Sequence, residues 1–261
     1  MGKVVIAYSG GVDSTFLLKA AVDTLGAENV LAYLGTSPSL GQSQKAQALK
    51  MAQTIGTKVR QIQLHELDDP NYSDNKADRC FHCKSHLYGL LINIAKEEKI
   101  NYVICGSNFD DKDDFRPGNR AADVFGVRSP LMEAKLTKQD IRQLSRRENL
   151  ATADLPASPC LASRVSYGLE ITEERLNQID QAEDLLRSLG FAEFRVRHHR
   201  DLARIEVPVN QIEKITSEPI RSKITDEFKS LGFKFISVDL QGFRSGSLNE
   251  SLTQEEKKTA K

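Results

Sequence analysis

The chain has 261 residues, of which 39% are hydrophobic and 28% are charged. These fractions are ordinary for globular proteins and argue against a disordered, fibrous or membrane-embedded chain. The 36 basic side chains balance the 36 acidic ones, and neither half of the sequence is basic, so the positive field of a tight nucleic-acid binder is not expected. The length favours two domains of unequal size.

The N-terminal residues lead directly into a strand pattern at 3–8 and a glycine-rich turn. This beginning leaves no room for a secretion signal, and no apolar run is long enough to span a membrane. We therefore expect a cytoplasmic protein with no membrane partner. In that reducing compartment, cysteines more often bind metals or react than form disulfides.

The first part of the chain predicts a parallel α/β fold. Apolar runs indicate strands at 3–8, 30–34, 58–64 and 102–105, and helical spacing indicates helices at 15–25, 42–55, 82–99 and 137–149. This alternation is typical of a parallel sheet with helices on both faces. Residues 66–79 and 106–127 are predicted to be loops, and the second is long enough to serve as a binding loop.

The later residues predict a small α+β domain. Residues 150–168 are irregular, as expected of a linker that also carries chemistry. After them the pattern indicates helices at 172–189 and 219–231 and strands at 194–199, 203–208 and 235–240. We predict domains at 1–165 and 166–252, followed by a flexible tail at 253–261.

A glycine-rich loop joins the first strand to the first helix. It consists of Ser9, Gly10, Gly11, Val12, Asp13 and Ser14. Consecutive N–H groups at a helix N-terminus bind phosphate. The lysine of a Walker loop is absent, which favours a site for leaving pyrophosphate. The alternative is an ordinary glycine turn with a serine cap, and Asp13 is either a Mg²⁺ ligand or a first-turn residue favoured by the helix dipole.

Three of the four cysteines form a second candidate site. Cys80 and Cys83 have CxxC spacing at a predicted helix start, and Cys160 lies in PASPCLASR at 156–164. Three thiolates can hold a [4Fe-4S] cluster by three corners and leave one iron free. A zinc site completed by His82 or His86, a redox dithiol and a single sacrificial cysteine remain alternatives. Cys105 is predicted to be a buried small residue.

Together these motifs resemble a known family. SGGVDS is the signature of the pyrophosphatase-loop ATPases. The sequences GSNFDDKDDFRPG at 106–118, PASPCLASR, RVRHHRDLARIE and DLQGFRSG resemble the LarE family of sulfur-inserting enzymes in nickel-pincer cofactor biosynthesis. The resemblance extends over nearly the whole chain, and it implies an adenine nucleotide α-hydrolase-like first domain.

The resemblance also implies an activity. The enzyme would use Mg-ATP to adenylylate a carboxylate of pyridinium-3,5-dicarboxylate mononucleotide and would then replace the activated oxygen with sulfur. Some members surrender the sulfur of one cysteine that matches Cys160, whereas three-cysteine members are thought to use a [4Fe-4S] cluster. Because Cys80 and Cys83 are both present, we expect the cluster type. Similar enzymes are trimers or hexamers, so a homo-oligomer is expected; the sulfur donor stays unknown.

Several polar residues match the substrate and nucleotide sites of that family. Arg195 and Arg197 share one strand face, where two guanidinium groups can hold a phosphate. A turn at 200–201 would place Arg204 and Glu206 alongside. The other candidates are Arg164, Glu183 and Arg244 for the substrate, with Ser37 and Gly106 for the nucleotide. Each has a purely structural alternative, namely an ion pair, a solvated strand face or an ordinary loop position.

The acidic residues of the 106–118 motif suggest a metal cluster at first sight. They are Asp110, Asp111, Asp113 and Asp114. We interpret most of them as solvated loop residues and assign none as a ligand.

Two other functions remain as rivals. A tRNA thiolation enzyme of the same superfamily also uses three cysteines, but the chain lacks a basic face and a second zinc-type cysteine set. A non-catalytic metal or nucleotide sensor is the rival of a different class.

Overall fold

The computed structural model of the chain describes residues 1–112 and 117–259. Its first sheet has four parallel strands in the order β3-β2-β1-β4. These strands are β1 (Val4–Tyr8), β2 (Val30–Thr36), β3 (Val59–Gln63) and β4 (Val103–Cys105). The carboxyl ends of parallel strands meet at one edge of the sheet, which is where α/β proteins bind their ligands.

Seven helices accompany this sheet in the described residues. They are α1 (Val12–Leu25), α2 (Gln42–Ile55), α3 (Pro70–Ser73), α4 (Arg79–Glu97), α5 (Pro117–Val124), α6 (Pro130–Glu133) and α7 (Lys138–Arg147). Alternate residues of β1 pack into two cores: Val4 and Ile6 contact the core of α1 and α2, whereas Val5 and Ala7 contact the core of α4. Helices therefore cover both faces of the sheet, which confirms the predicted α/β fold.

A second, smaller sheet lies in the C-terminal part. Its strands are β5 (Arg195–His199), β6 (Leu202–Glu206) and β7 (Phe235–Val238), in the order β5-β6-β7. β5 and β6 form the expected antiparallel hairpin, and β7 is parallel to β6. The helices here are α8 (Glu173–Ser188), α9 (Ile212–Thr216), α10 (Ile220–Ser230) and α11 (Gln254–Thr259). The last of these occupies most of the segment predicted as a tail.

Both predicted loops contain a helix in the structure, and the short helix α3 lies within 66–79. The segment 106–127 contains α5 rather than continuous loop. This helix begins with Pro117, and it buries Ala121 and Ala122 in the core shared with α4. Alanines this small give little apolar periodicity, which explains why the sequence pattern did not reveal the helix. No helix within the described residues is long and apolar enough to cross a lipid bilayer.

His198 is a buried titratable residue in the second sheet. It is 2% exposed, and its Nε2 lies 2.9 Å from Oε1 of Gln178. Its Nδ1 is buried without a hydrogen-bond partner in the described part of the chain, so a second ring proton would find no acceptor there. Burial, assisted by the charge of Arg175, lowers the pKa of His198 from 6.5 to about 4.

We predict that the free energy of unfolding falls as the pH is lowered from 6.5 towards about 4. In this interval the unfolded chain binds a proton at His198 that the folded chain does not. Urea unfolding at a series of pH values should show a shallower decline for His198→Gln than for the wild type. The exposed His65→Gln variant is the control and should keep the wild-type decline; an unchanged decline in His198→Gln would contradict the assignment.

Candidate active site

The glycine-rich loop forms a cradle at the carboxyl end of β1. Gly10 has φ of +75°, and a Cβ there would lie 2.4 Å from Cβ of Ala48 in α2. Ser14 Oγ accepts from the amide of Ser9 at 3.2 Å and donates to the carbonyl of Gly11 at 3.3 Å. Helix α1 begins at Val12 without a side-chain cap. The N–H groups of its first turn are thus available to an anion.

Gly106 packs closely against the backbone of this cradle. It follows β4, and a Cβ on it would lie 2.9 Å from both N and Cα of Ser14. Only glycine permits this approach of one backbone to another. The structure therefore gives Gly106 a direct part in packing the loop against the sheet.

The structure supplies a lysine to the loop from a distant segment. Nζ of Lys138, the first residue of α7, lies 2.7 Å from Oδ2 of Asp13. The amide of Lys138 also donates to Asp110 at 2.9 Å. The other carboxylate oxygen of Asp13, Oδ1, is buried and has no hydrogen-bond partner among the residues that the structure describes. An incompletely satisfied carboxylate beside an anion cradle fits a Mg²⁺ ligand.

The loop after β2 connects the nucleotide side to the cysteine side. Ser37 donates its hydroxyl hydrogen to Glu66, which is 1% exposed. Two residues later, Ser39 Oγ lies 2.7 Å from the hydroxyl of Tyr72, and its carbonyl accepts from the amide of Leu161 at 2.8 Å. Leu161 follows Cys160, so the third cysteine lies near the carboxyl end of β2.

The three cysteines come from two segments that face each other. Cys80 and Cys83 lie in the first turns of α4, and Cys160 precedes the short 3-10 helix Leu161–Arg164. Cys83 and Cys160 are half-buried and pack against one apolar cluster that includes Tyr72, while Cys80 is exposed. Helix α4 starts at Arg79, three residues before the predicted start, so both cysteines of the pair are helical.

The electrostatics show that these groups influence one another. Burial raises the pKa of Cys83 well above its usual value, and a negative charge on Cys160 raises it further. Burial and the charge of Cys80 raise the pKa of Cys160, while Arg79 and Arg164 oppose that rise. Two or three thiolates at this site therefore need a positive partner. Within residues 1–112 and 117–259, no group of three or more His, Cys, Asp or Glu side chains is arranged to hold a metal ion.

Asn75 joins the two cysteine-bearing segments. It is fully buried, and its side-chain amide donates to the carbonyls of Val165, Ser166 and Leu169 at 3.2, 2.8 and 2.9 Å. Its φ of 58° is in the left-handed region, which asparagine tolerates better than most residues. This side chain, together with backbone hydrogen bonds from Gly168 to Asn75 and from Ile171 to Ser73, holds the Cys160 segment against the residues that precede α4.

Arg164 and Glu183, both predicted to contact substrate, pair with each other. Arg164 Nε and Nη2 lie 2.9 and 3.0 Å from the two oxygens of Glu183. Nη1 of Arg164 donates to the carbonyls of Pro159 and Cys160, and Glu183 also accepts from the amide of Val196. The arginine is 2% exposed, so in this structure the pair anchors the Cys160 loop to α8 and β5.

Arg195 and Arg197 lie on one face of β5, as expected, but their partners differ. Arg197 forms an ion pair with Glu206 at 2.8 Å and donates to Ser247 at 3.0 Å. Arg195 donates to the carbonyls of Phe194 and Ala157 and has no carboxylate partner among the described residues. Burial and the charge of Arg164 lower its pKa to about 10. The charges of Glu183 and Glu206 act on Arg195 only through space, so its guanidinium can still pair with an anion.

Arg244 and the acidic loop are closer to the surface. Arg244 lies 3.4 Å from Glu250 and 3.8 Å from Asp239, and it is partly exposed. Asp111 accepts from the amide of Asn108 at 3.0 Å, and Asp110 accepts from the amide of Lys138 at the start of α7. Asp113 and Asp114 lie outside the described residues.

Cys105 is 2% exposed at the end of β4, and its sulfur lies 3.3 Å from Oγ of Ser129. Burial would raise the pKa of Cys105, but the charge of Lys84 and hydrogen bonds from Ser129 and Ser107 outweigh it and lower the pKa. It lies on the α4 face of the sheet, apart from the core cluster against which Cys83 and Cys160 pack.

Sequence reasoning missed two cations of this region, Lys138 and Arg79. Lys138 is 125 residues from Asp13, and no local pattern links them. Arg79 directly precedes Cys80 at a helix start. A cation next to a cysteine in the sequence was the local signal that could have identified Arg79 as part of the site.

Comparison with known proteins places the fold and the loop in a class. Residues 1–83 match the family model of NAD synthase. That segment contains the glycine-rich loop and the first three strands of the sheet. The loop, the parallel sheet and this match together define a pyrophosphatase-loop domain.

Matches over nearly the whole chain define the family. The chain is 36% identical over 252 residues to the pyridinium-3,5-bisthiocarboxylic acid mononucleotide synthase of Lactiplantibacillus plantarum. The aligned residues cover 97% of this chain and 91% of the synthase. The chain is 43% identical to an uncharacterised protein of Synechocystis (97% and 94% covered) and 31% identical to one of Methanocaldococcus jannaschii (93% and 91%). The chain belongs to the LarE-like family of the Lactiplantibacillus synthase.

We predict that Lys138→Met lowers the free energy of unfolding by about 1 kcal/mol, because it leaves the carboxylate of Asp13 without its cation. Added Mg²⁺ should then stabilise this variant more than the wild type, since both oxygens of Asp13 are free for the ion. Urea unfolding with and without Mg²⁺ measures both effects.

The matched control is Lys50→Met on the exposed face of α2, which should behave as the wild type in both conditions. An equal effect of Mg²⁺ on Lys138→Met and on the wild type would show that Asp13 does not bind the ion.

Proposed function

We propose that this protein is an ATP-dependent enzyme that converts a carboxylate of pyridinium-3,5-dicarboxylate mononucleotide into a thiocarboxylate. The observation that supports this most is that the glycine-rich cradle and the Cys160 segment lie at the same edge of the sheet. The glycine-rich cradle follows β1, and the Cys160 segment is hydrogen-bonded to the loop after β2, its neighbour in the sheet. An oxygen activated at the first site can therefore meet sulfur at the second.

In the first step the substrate carboxylate attacks the α-phosphorus of ATP, pyrophosphate leaves, and an acyl adenylate forms. The first-turn amides of α1 bind the pyrophosphate, and the glycines let it approach the backbone. Asp13 would hold Mg²⁺, which supplies neutralisation of the phosphate charge. Catalysis here is positioning and charge stabilisation, as in other phosphoryl transfers.

The substrate phosphate needs a cation, and Arg195 is the best candidate in the second sheet. It is 9% exposed, and its guanidinium donates only to carbonyls and stacks on Phe243 with 5.1 Å to the ring centroid. Arg197 and Glu206 already neutralise each other, so the phosphate charge is left to Arg195. A bidentate contact to phosphate oxygens is the geometry that arginine favours.

In the second step sulfur attacks the acyl carbon, AMP leaves, and the thiocarboxylate forms. Cys80, Cys83 and Cys160 would hold a [4Fe-4S] cluster by three corners, and such a cluster supplies a bound sulfide as nucleophile. Cys83 and Cys160 pack against one apolar cluster, and the positive charge of Arg79, which directly precedes Cys80, suits an anionic cluster. AMP is a good leaving group, so the step needs no strong general acid.

A second candidate function is sulfur donation by Cys160 alone. The absence of a ready three-residue metal group within the described residues favours it. In this mechanism Cys160 loses its sulfur and becomes dehydroalanine, so each protein molecule reacts only once per thiol.

The proposal is tested by incubating the protein with Mg-ATP and the dicarboxylate nucleotide and measuring pyrophosphate. We expect release that requires the nucleotide and is not stimulated by tRNA. Arg195→Met should raise the KM for the nucleotide by about tenfold, because a charge-assisted contact is lost. Release without the nucleotide, or only with tRNA, would contradict the proposal.

The two sulfur mechanisms are separated by anaerobic reconstitution with iron and sulfide. The cluster mechanism predicts iron-sulfur absorption and repeated turnover, both lost in Cys80→Ser. The sacrificial mechanism predicts that Cys80→Ser keeps a single turnover and that Cys160 loses the mass of hydrogen sulfide. Mass spectrometry after one reaction cycle measures that loss.

A further inference from the structure

Gln44 connects helix α2 to the Cys160 loop through its side-chain amide. Nε2 of Gln44 donates to the carbonyl of Ser158 at 2.8 Å and to that of Pro159 at 3.4 Å, and it also contacts Oγ of Ser158. Ser158 and Pro159 directly precede Cys160. Gln44 lies in the first turn of α2 and is 114 residues from Ser158 in the sequence. The contact is therefore set by the tertiary fold.

The orientation of this amide indicates that it serves the loop. Two of the three atoms around Nε2 are carbonyl oxygens, which can only accept a hydrogen bond. Oε1 of Gln44 is buried and has no hydrogen-bond partner among residues 1–112 and 117–259. A buried oxygen without a donor is unfavourable. The side chain thus accepts a cost at its oxygen while its nitrogen donates to the loop.

Helix α2 also supports the phosphate cradle. Ala48 follows Gln44 by one helical turn and is fully buried. A Cβ on Gly10 would lie 2.4 Å from Cβ of Ala48 and 2.7 Å from its Cα, and the carbonyl of Ala48 accepts from the hydroxyl of Tyr8 at 3.0 Å. Residues one turn apart lie on the same face of a helix. One face of α2 therefore contacts both the cradle and the Cys160 loop.

The Cys160 loop is held on both sides of the cysteine. The pair of Arg164 and Glu183 anchors the residues after Cys160 to α8, and Gln44 anchors the residues before it to α2. Asp180 of α8 in turn accepts from the first amide of α2 at 3.1 Å. The backbone bond from Leu161 to the loop after β2 adds a further anchor, so the protein is expected to fold without the Gln44 amide.

We propose that Gln44 is a positioning residue that sets where Cys160 lies relative to the nucleotide cradle. The inference rests on the proposed function, in which sulfur at Cys160 meets an oxygen activated at the cradle. Because α2 packs against the cradle and Gln44 extends from α2 to the loop, both reaction centres share one rigid support. A misplacement of about 1 Å between reacting groups can slow a reaction by about a hundredfold, so this support matters for sulfur transfer.

Alkylation of Cys160 tests the anchoring without any substrate. The reduced, metal-free, full-length protein is treated with iodoacetamide, and each cysteine peptide is quantified by mass spectrometry. Gln44→Met keeps the length of the side chain but cannot donate. Cys160 should then be alkylated about fivefold faster, which is the effect of one lost hydrogen bond on local opening. Gln44→Glu presents only acceptors to the two carbonyls and should be at least as fast.

Two controls separate a released loop from a loosened protein. Cys105 is buried in a different core, so its alkylation should keep the wild-type rate in both Gln44 variants. Gln53→Met is the matched variant, since Gln53 is an exposed glutamine near the C-terminal end of the same helix. It should leave the alkylation of Cys160 unchanged.

Single-turnover kinetics with Mg-ATP and the dicarboxylate nucleotide connect the anchoring to sulfur transfer. Gln44→Met should release pyrophosphate at the wild-type rate, because the cradle is unchanged. It should form the thiocarboxylate about fivefold more slowly, because Cys160 is less often in place. A residue that only stabilised the fold would slow both steps or neither.

Three results would overturn the proposal. They are unchanged alkylation of Cys160 in both Gln44 variants, equally faster alkylation of Cys105 and Cys160, and pyrophosphate release that slows in parallel with thiocarboxylate formation. The alkylation assay contains neither ATP nor the pyridinium nucleotide. A wild type that releases no pyrophosphate would therefore count against the proposed function, while a measured anchoring of Cys160 by Gln44 would remain.

Discussion

The three hydrogen bonds of Asn75 are the constraint on which the candidate site depends. The cysteines lie in segments about eighty residues apart, and within residues 1–112 and 117–259 no strand pairing brings Cys160 to Cys80 and Cys83. The side-chain amide of Asn75 connects the two segments by donating to three carbonyls of the segment that follows Cys160. The bond to the carbonyl of Val165 lies between buried groups, and leaving a buried carbonyl without a donor costs about 1–3 kcal/mol. The same contact places Tyr167 over Arg79.

Charge balance divides the buried arginines into two groups. Arg164 and Arg197 are neutralised by glutamates and hold the Cys160 loop and the second sheet in place. Arg79 and Arg195 have no carboxylate partner in the part of the chain that the structure describes, and they lie at the cysteines and on β5. The first group is explained by the fold alone. Bound anions would neutralise the second group: one anion at the sulfur site for Arg79, and the substrate phosphate for Arg195.

Much of the fold followed from the sequence, because its signals are local. The strand-loop-helix motif at Ser9–Ser14 and the apolar strands are set by neighbouring residues, and the helix at 42–55 was predicted to the residue. Helix α5 was missed because its buried side chains are alanines.

Arg164 and Glu183 were predicted to contact the substrate. Their pairing with each other depends on tertiary contacts between α8 and the Cys160 loop. Lys138 could not be assigned to Asp13, since 125 residues separate them. The domain boundaries, the oligomeric state and the cluster stay predictions.

The proposed activity requires that thiols from two distant segments meet at the carboxyl edge of the nucleotide-binding sheet. Cross-linking of the reduced, metal-free protein with a short bifunctional alkylating reagent, followed by peptide mass spectrometry, tests it most directly. We expect a cross-link that joins Cys160 to Cys80 or Cys83 in the folded protein and disappears in urea. Cross-links confined to the Cys80–Cys83 pair, with Cys160 alkylated alone, would contradict the account.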